Sequence, residues 1–436
     1  MSEIKLGGQD MKRSPFYNIL MASVGNALEW YDFIIYGFLS VVIARVFFPT
    51  GNELTSLLLA LASFGVPFLV RPFGAFFIGR YADKHGRKPA LTLTVGLMLL
   101  GTLIIALTPS FESIGVMAPV LVVSARLLQG FSAGGEFGSA TTFLAEQNPA
   151  RRGFYGSWQF ASQGLASMFA AGVAWAIFSR YTPAEVDAWA WRLPFVFGLL
   201  IGPVGLLMRR SMLETTEFQA EQKKAAREKP APVQGRQMLR NVLLCMGLIA
   251  GGTVSSYVLI LYLPTFAIKQ LGLPQTSAFL SAMLTGLISL LVTPLMGELS
   301  DRIGRIRMMQ ISLILVAGAI IPLFLLLLEH KDLQSLLFFQ GLMALLLSLY
   351  NGPLAAVLAE LFPVRERSLG ISLGYNLSVT LFGGFAPMVL TALISATGSK
   401  AAPSIYALFA IAISFVALAV VAKTELPRAA SQRAAV

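Results

Sequence analysis

The sequence predicts an all-α membrane protein of twelve transmembrane helices, arranged as two pseudo-symmetric halves of six. Three observations carry this prediction: an apolar composition, twelve apolar stretches of bilayer-crossing length, and one motif that recurs at half the chain length. Of the 436 residues, 56% are hydrophobic and 13% are charged, whereas a soluble domain is about 25% charged. The chain is therefore too apolar to be an ordinary soluble domain.

Twelve apolar stretches reach the length of about 20 residues that a helix needs to cross the hydrocarbon core. They cover approximately residues 17–47, 54–78, 89–108, 116–145, 154–178, 192–208, 240–267, 276–299, 308–328, 335–362, 369–395 and 402–422. Unpaired amide groups are too costly in lipid, and the stretches lack the alternation of barrel strands. Each stretch is therefore predicted to be a helix.

Positive charges are distributed unequally between the two sides of this arrangement. With the amino terminus in the cytoplasm, the segments on that side hold 25 of the 33 Lys and Arg residues, and the opposite side holds six. An excess of Lys and Arg marks cytoplasmic segments, so both termini are expected to be cytoplasmic. The net charge of +11 then reflects topology and contact with anionic lipid headgroups, and no nucleic-acid partner is expected.

A polar segment divides the twelve stretches into two groups of six. It covers residues 209–237 and is the longest polar stretch between two spans. We therefore expect an amino-terminal bundle over residues 1–208 and a carboxyl-terminal bundle over residues 238–436, joined by a charged cytoplasmic linker.

The same short motif follows the second span and the eighth span. A G-x-x-x-D-x-x-G-R pattern contains Asp83 and Arg87 and recurs, 218 residues later, with Asp301 and Arg305. This offset is half the chain length and indicates an internal repeat. Each aspartate can lie against a positive helix N-terminus and each arginine can pair with it, so we expect gating loops. A loop that only fixes topology is the alternative.

The scarcity of reactive side chains argues against covalent chemistry. Cys245 is the only cysteine and there are two histidines, so neither a disulfide framework nor a Cys- or His-rich metal site can form. Neither an HExxH motif nor a GxxxxGK[ST] loop occurs. We expect no enzyme activity, no metal and no cofactor.

Five ionisable side chains lie deep inside predicted spans, where charge is costly and usually functional. They are Glu29, Asp32, Arg71, Arg126 and Glu136, and all belong to the first half. Three acids against two bases leave one negative charge that a proton can neutralise. We expect Glu29 or Asp32 to bind this proton; two permanently paired structural anions are the alternative.

The two buried arginines are suited to an anionic substrate. A guanidinium can hold a carboxylate through two hydrogen bonds, so Arg71 and Arg126 are the expected anion ligands. For Arg71, a structural pairing with Glu29 or Glu136 is equally open. On the first helix, Glu29, Asp32 and Tyr36 fall on one narrow face at 100° per residue.

Neutral polar side chains complete the expected substrate site. Trp158, Gln159 and Gln163 share one face of the fifth span, where they can line a cavity or connect helices by hydrogen bonds. The second half offers polar mid-span residues without charge, which can also serve helix packing. The full expected set is Asn26, Tyr36, Arg71, Arg126, Glu136, Trp158, Gln159, Gln163, Tyr257, Tyr350, Asn351, Tyr375 and Asn376.

The repeated loop motif resembles the signature of the major facilitator superfamily. Further strings are similar to its metabolite:proton symporter family: GNALEWYDFIIYG from Gly25, RPFG from Arg71, RLLQGFSAGGE from Arg126 and WRLPF from Trp191. The strings GFYGSWQFASQ, YNG and LFGG are most similar to the citrate and tricarballylate branch, with 2-oxoglutarate carriers next.

This resemblance implies the major facilitator fold and uptake of a small organic acid with protons across a bacterial inner membrane. Citrate or tricarballylate is the implied substrate, and sodium could replace the proton. By the superfamily pattern, Glu29 or Asp32 and Arg126 form the proton-coupling pair. We expect a functional monomer.

Several alternatives remain open at this stage. The same family includes carriers of betaine, proline, shikimate and 2-oxoglutarate; its osmosensing member adds a coiled-coil tail, and no heptads follow Ala422 here. A proton-driven exporter would share the span pattern, but the fifth span lacks the Gly-Pro-centred motif implied by resemblance to efflux pumps. A receptor would need a signalling domain, for which a linker of about 30 residues is too short.

Overall fold

A computed structural model describes residues 15–85, 87–210 and 235–424, and all regular elements within these ranges are helical. The first half contains α1 (Pro15–Phe38), α2 (Ser40–Phe47), α3 (Glu53–His85), α4 (Arg87–Leu107), α5 (Phe111–Ile114), α6 (Met117–Ala133), α7 (Glu136–Ala145), α8 (Arg152–Arg180), α9 (Pro183–Ala188) and α10 (Leu193–Arg210). The second half contains α11 (Gly235–Ser256), α12 (Leu263–Gln270), α13 (Gln275–Ile303), α14 (Arg305–His330), α15 (Leu333–Leu361), α16 (Val364–Ser378), α17 (Ala386–Thr397) and α18 (Ala402–Thr424).

The predicted all-α architecture is confirmed, and each of the twelve predicted spans coincides with helix. Ten spans, one of them a bent pair, are long and apolar enough to cross a membrane in the described part of the chain. The third is the shorter apolar helix Thr92–Leu107, and the sixth is α10. Helix extends into both ends of the predicted linker, since α10 continues to Arg210 and α11 begins at Gly235. Residues 211–234 of the linker lie outside the described residues.

Four spans are interrupted where the sequence predicts continuous helix. The first bends by 65° between α1 and α2, and the fourth breaks between α6 and α7. π-helical turns at Tyr257–Tyr262 and Val379–Gly383 interrupt the seventh and eleventh spans. The bend at Leu39 and the π turn beginning at Tyr257 are 218 residues apart, the same offset as the repeated motif. The internal repeat therefore includes this one pair of helix breaks, and breaks of this kind in membrane carriers mark functional regions.

The two halves pack closely along α8 and α13 because glycines face each other. A Cβ atom added at Gly153 would lie 2.4 Å from the carbonyl oxygen of Gly297, and one at Gly286 would lie 2.6 Å from the Met168 nitrogen. Small residues allow helix backbones to approach in lipid, where no hydrophobic force drives association. This contact forms one flank of the interface between the halves.

Gly286→Ala is expected to destabilise the protein, because the added methyl group meets backbone atoms of α8 and forces the helices apart. Overpacking of this kind costs about 1–3 kcal/mol. Gly341→Ala is the matched control, since its methyl group would make ordinary contacts of 3.6 Å with Ile288 and Leu284. The melting temperature of the purified protein in detergent should fall for Gly286→Ala and stay level or rise for Gly341→Ala; equal melting temperatures would contradict this account of the interface.

The opposite flank joins α3 and the α6–α7 break to α16 and the π turn that follows it. Thr380 Oγ1 donates to the carbonyl oxygen of Phe68 at 2.7 Å, and Asn376 Nδ2 donates to that of Gly134 at 2.6 Å. The Phe137 and Tyr375 rings are stacked here. Both flanks are therefore closed, and the space left between the halves is small.

Candidate functional site

Arg71 on α3 lies in an aromatic enclosure beside the first helix. Its side chain is 1% exposed, and Nη2 donates to Glu29 Oε1 at 3.0 Å. The guanidinium centre lies 4.9 Å from the Phe33 ring centroid and 5.0 Å from that of Phe68. Its Nε and Nη1 atoms have no hydrogen-bond partner within the described part of the chain. Arg71 therefore makes the structural pairing with Glu29 that the sequence left open. Among the described residues its Nε and Nη1 atoms have no partner and can donate to a ligand.

Arg126 on α6 is fully buried nearby and makes a different set of contacts. Nη1 donates to Gln129 Oε1 at 2.9 Å, and the guanidinium centre lies 4.2 Å from the Tyr36 ring centroid. Tyr36 is fixed in turn by a 2.6 Å hydrogen bond between its hydroxyl and that of Ser63. Tyr36 therefore positions the arginine through its ring face, which a cation favours.

A chain of hydrogen bonds connects Arg126 to Asp32. Gln129 Nε2 donates to Thr102 Oγ1 at 3.0 Å, and Thr102 Oγ1 donates to Asp32 Oδ2 at 2.6 Å. Gln129 and Thr102 are not among the site residues that the sequence predicts. Gln129 could have been found, because it lies three residues after Arg126 on the same helix face. A lone threonine in an apolar helix such as α4 gives no comparable signal.

A central cavity of about 40 Å³ lies between the two halves. Four of the predicted substrate residues line it, Gln163 from the first half and Tyr257, Asn351 and Tyr375 from the second, together with Trp30 of α1. The Tyr257 hydroxyl and Gln163 Nε2 have no hydrogen-bond partner among the described residues. Small-molecule sites are usually about 300–1,000 Å³, so the cavity is in a contracted form.

Nine of the predicted substrate residues do not line this cavity: Tyr36, Arg71, Arg126, Glu136, Asn26, Trp158, Gln159, Tyr350 and Asn376. Asn26 and Gln159 join α1 to α8 through reciprocal 3.0 Å hydrogen bonds, and the Tyr350 hydroxyl donates to the Leu248 carbonyl oxygen at 2.5 Å. Asn376 connects the halves as described above, and Trp158 packs edge-on against Phe154. The structure therefore gives Asn26, Gln159, Tyr350 and Asn376 helix-connecting contacts, the alternative that the sequence left open for such residues.

The buried acids do not face the central cavity. On α1, Trp30 and Ile34 line the central cavity, whereas Glu29 and Asp32 line a second cavity inside the first half. Glu136 lines the same second cavity. The acids therefore line a different cavity from the neutral polar residues. Arg71 stays bonded to Glu29, and Arg126 is linked to Asp32, so binding of proton and anion by one cluster remains a prediction.

The repeated motif places Asp301 at the N-terminus of α8. Its two carboxylate oxygens accept from the backbone nitrogens of Gly153 at 2.9 Å and Phe154 at 3.1 Å, and Arg305 Nη2 pairs with it at 2.6 Å. These are the contacts that the sequence predicts. Arg305 also pairs with Glu360. The side chains of Asp83 and Arg87 lie outside the described residues. We call this side of the bundle the motif face.

A second contact between the halves on the motif face is a buried ion pair. Arg367 Nη1 lies 2.5 Å from Glu146 Oε1, and the two side chains are 5% and 2% exposed. The residues are 221 positions apart. The sequence does not predict this pair, because each residue lies at the end of a predicted span, where charge is ordinary. On the opposite face, Glu53 pairs with Lys269, so an ion pair joins the two halves at each end of their interface.

Arg367→Gln is expected to open the motif face, because Glu146 would lose a buried ionic partner at a cost of about 3–5 kcal/mol. Amide hydrogen exchange should rise in the peptides that contain Glu146 and Gly153. Arg302→Gln is the control, since Arg302 is 73% exposed in its pair with Glu298 and such pairs contribute little. Unchanged exchange in Arg367→Gln would show that the pair does not hold this face closed.

Two halves of six helices, related by an internal repeat and joined by contacts at both ends around a small cavity, define a membrane carrier and not an enzyme. The chain belongs to the Major Facilitator Superfamily, which it matches over residues 22–329 and 280–435. It is 39% identical to the citrate-proton symporter of Klebsiella pneumoniae, with 90% of this chain and 88% of that protein covered.

Other relatives are named for different solutes. Identity is 34% to the proline/betaine transporter of Escherichia coli K12, covering 89% of this chain and 79% of that protein, and 34% to the alpha-ketoglutarate permease of the same strain, covering 90% of each. Among solved structures, the proton:xylose symporter XylE bound to 6-bromo-6-deoxy-D-glucose superposes with a TM-score of 0.75 at 17% identity, covering 94% of this chain and 95% of that one. This similarity shows the same fold.

Proposed function

We propose that the protein takes up a small organic acid together with protons by alternating access, and that the substrate is a tri- or dicarboxylate such as citrate or tricarballylate. The observation that carries the proposal is the pair of buried arginines with unpartnered donors, one of them hydrogen-bonded through Gln129 and Thr102 to Asp32. The similarity to citrate-proton symporters supports the choice of substrate.

The arginines would bind the substrate when the cavity expands. Arg71 pairs with Glu29 through Nη2, so Nε and Nη1 can each donate one hydrogen bond to a substrate oxygen without breaking that ion pair. Gln163, Asn351 and Tyr257 would supply neutral hydrogen bonds from the cavity wall. Protonation of Asp32 would shift the Arg126 network and thereby couple the proton to the substrate site.

Movement of the halves would expose the cavity to each side in turn. Release of the Arg367–Glu146 and Asp301 contacts opens the motif face, and release of the Glu53–Lys269 contact opens the other. Following the charge distribution, the motif face is cytoplasmic, as are both termini, in a bacterial inner membrane. The carrier would work as a monomer, with sodium as a possible replacement for the proton.

A zwitterionic osmolyte such as betaine or proline is the second candidate. Trp30, Tyr257 and Tyr375 line the central cavity, and aromatic faces bind quaternary ammonium groups. Shikimate and 2-oxoglutarate remain further candidates, and a proton-driven exporter is the alternative for direction. The choice between acid and osmolyte depends on whether the arginines or the aromatic rings provide the main contacts.

Uptake into proteoliposomes tests the proposal. With an inward proton gradient, radiolabelled citrate should accumulate, and a protonophore should abolish accumulation. Glycine betaine, proline and 2-oxoglutarate are the parallel probes, and a thermal-shift screen selects further acids. Accumulation of betaine but not of any carboxylate would replace the first candidate with the second, and outward proton-driven movement would identify an exporter.

A further inference from the structure

The second cavity, which we call the amino-terminal chamber, lies inside the first half between α1, α4, the α6–α7 break and α10. Its volume is about 40 Å³, which is sufficient for water held by polar groups. Glu29, Asp32 and Glu136 line it, and so do Thr94 and Gly198. Since none of these five lines the central cavity, the chamber is a separate polar space.

Within the described residues, one carboxylate oxygen in this chamber lacks a hydrogen-bond partner. Asp32 is 5% exposed, its Oδ2 atom accepts from Thr102, and its Oδ1 atom has no hydrogen-bond partner in the described part of the chain. A Cβ atom added at Gly198 would lie 2.6 Å from Oδ1. Because Gly198 lines the chamber, Oδ1 is directed into it, and the missing side chain at Gly198 leaves the space beside the oxygen open.

Hydrogen bonds to neighbouring helices hold the two α1 carboxylates that line the chamber. Asp32 is connected to Arg126 through Gln129 and Thr102, and Glu29 is held by Arg71. The residues of α4 and α10 that line the chamber carry no ionisable side chain.

Glu136 lies nearest to the motif face. It is nine residues from the end of α7, or roughly 14 Å at 1.5 Å per residue. A proton leaving Asp32 Oδ1 therefore finds a second carboxylate on the same side of α1.

We propose that the amino-terminal chamber is the route by which the coupling proton leaves Asp32 for the cytoplasm, with Glu136 as the relay. This inference rests on the proposed proton symport. Protonated Asp32 gives its proton to water in the chamber, water gives a proton to the Glu136 carboxylate, and Glu136 releases it in the direction of the motif face. The substrate leaves through the central cavity, so proton and substrate move on opposite sides of α1.

Glu136→Gln separates proton release from substrate movement. Concentrative citrate uptake into proteoliposomes should fall at least tenfold, while exchange of internal for external citrate should stay within twofold of the wild type, because exchange needs no net proton release. Glu136→Asp should recover part of the uptake, since a carboxylate is restored. Glu112→Gln, on the exposed helix α5, is the matched control. Normal uptake by Glu136→Gln, or equal loss of uptake and exchange, would overturn the relay.

A second measurement needs no substrate. Thr94→Cys places a thiol on the chamber wall, and Ag⁺ reaches thiols along narrow water-filled paths. The Thr94→Cys thiol should react with Ag⁺ at least tenfold faster from the cytoplasmic side than from the outside, as measured by the thiols left for a fluorescent maleimide after denaturation. The native Cys245 is buried in the second half and serves as the internal unreactive thiol.

The two measurements distinguish failure of the route from failure of the proposed function. If the wild-type protein accumulates none of the probes, proton symport of these solutes is wrong, and Ag⁺ access alone decides whether the chamber opens to the cytoplasm. If the wild type accumulates citrate but the Thr94→Cys thiol reacts no faster than Cys245, the chamber is not the route.

Discussion

Asp32→Asn is expected to abolish accumulation of citrate against a gradient while leaving citrate exchange active. The substitution keeps the size of the side chain and its contact with Thr102, but it removes the group that can take up and release a proton. Without protonation the carrier can still move substrate in both directions, because during exchange the carrier returns across the membrane with substrate bound each time. We expect accumulation to fall to the level set by equal concentrations on the two sides.

The structure distinguishes the two candidate acids that the sequence leaves equivalent. Glu29 is tied to Arg71, whereas one oxygen of Asp32 has no partner in the described residues. Glu29→Gln should therefore also lower the stability of the protein, because it leaves Arg71 without its ionic partner in a buried site. Asp187→Asn is the matched control, since Asp187 pairs with Arg45 in a partly exposed position. Accumulation that survives in Asp32→Asn would exclude Asp32 as the proton carrier.

Arg71→Lys should raise the apparent KM for citrate at least tenfold. Lysine keeps the positive charge, but its ammonium cannot hold Glu29 and a substrate carboxylate through the separate nitrogens that the guanidinium provides. Loss of one charge-assisted pair at about 1.5–3 kcal/mol corresponds to roughly ten- to a hundredfold in affinity. Binding measured by calorimetry separates this effect from a change in transport rate.

Arg126→Lys is expected to act differently, because Arg126 also contacts Gln129 in the network that leads to Asp32. It should alter the pH dependence of uptake as well as the apparent affinity. Arg45→Lys, outside the central site, is the common control for both substitutions. Unchanged KM in both Arg71→Lys and Arg126→Lys would show that neither arginine binds the anion.

The sequence predicted the features that depend on local pattern or on the rarity of charge in lipid. Arg71 and Arg126 were found because a buried charge in an apolar span is costly, and Asp301 because its motif recurs at a fixed offset. The direction in which a helix face points was not predictable. Periodicity shows that Glu29 and Asp32 share a face of α1, but only the packing of α4 and α10 decides that this face turns away from the central cavity.

Contacts between distant segments were also not predictable from the sequence. The Arg367–Glu146 pair joins positions that have no pattern in common, and the Asp32–Thr102–Gln129 chain depends on the relative rotation of three helices. The helix breaks were also missed, because glycines and aromatic residues in an apolar span are compatible with continuous helix. Two of the breaks, at Leu39 and Tyr257, are related by the internal offset of 218 residues. This offset predicts one of them only when the other is already known.

The position of α1 between the central cavity and the amino-terminal chamber has a consequence for how solute selectivity can change. Side chains that line the central cavity can be replaced to suit a different solute without altering Asp32 or Glu136, which line the amino-terminal chamber. A single coupling apparatus could then serve carriers for chemically unlike solutes. Exchanging Asn351 or Gln163 should accordingly change which solute is preferred while the dependence of uptake on the proton gradient is retained.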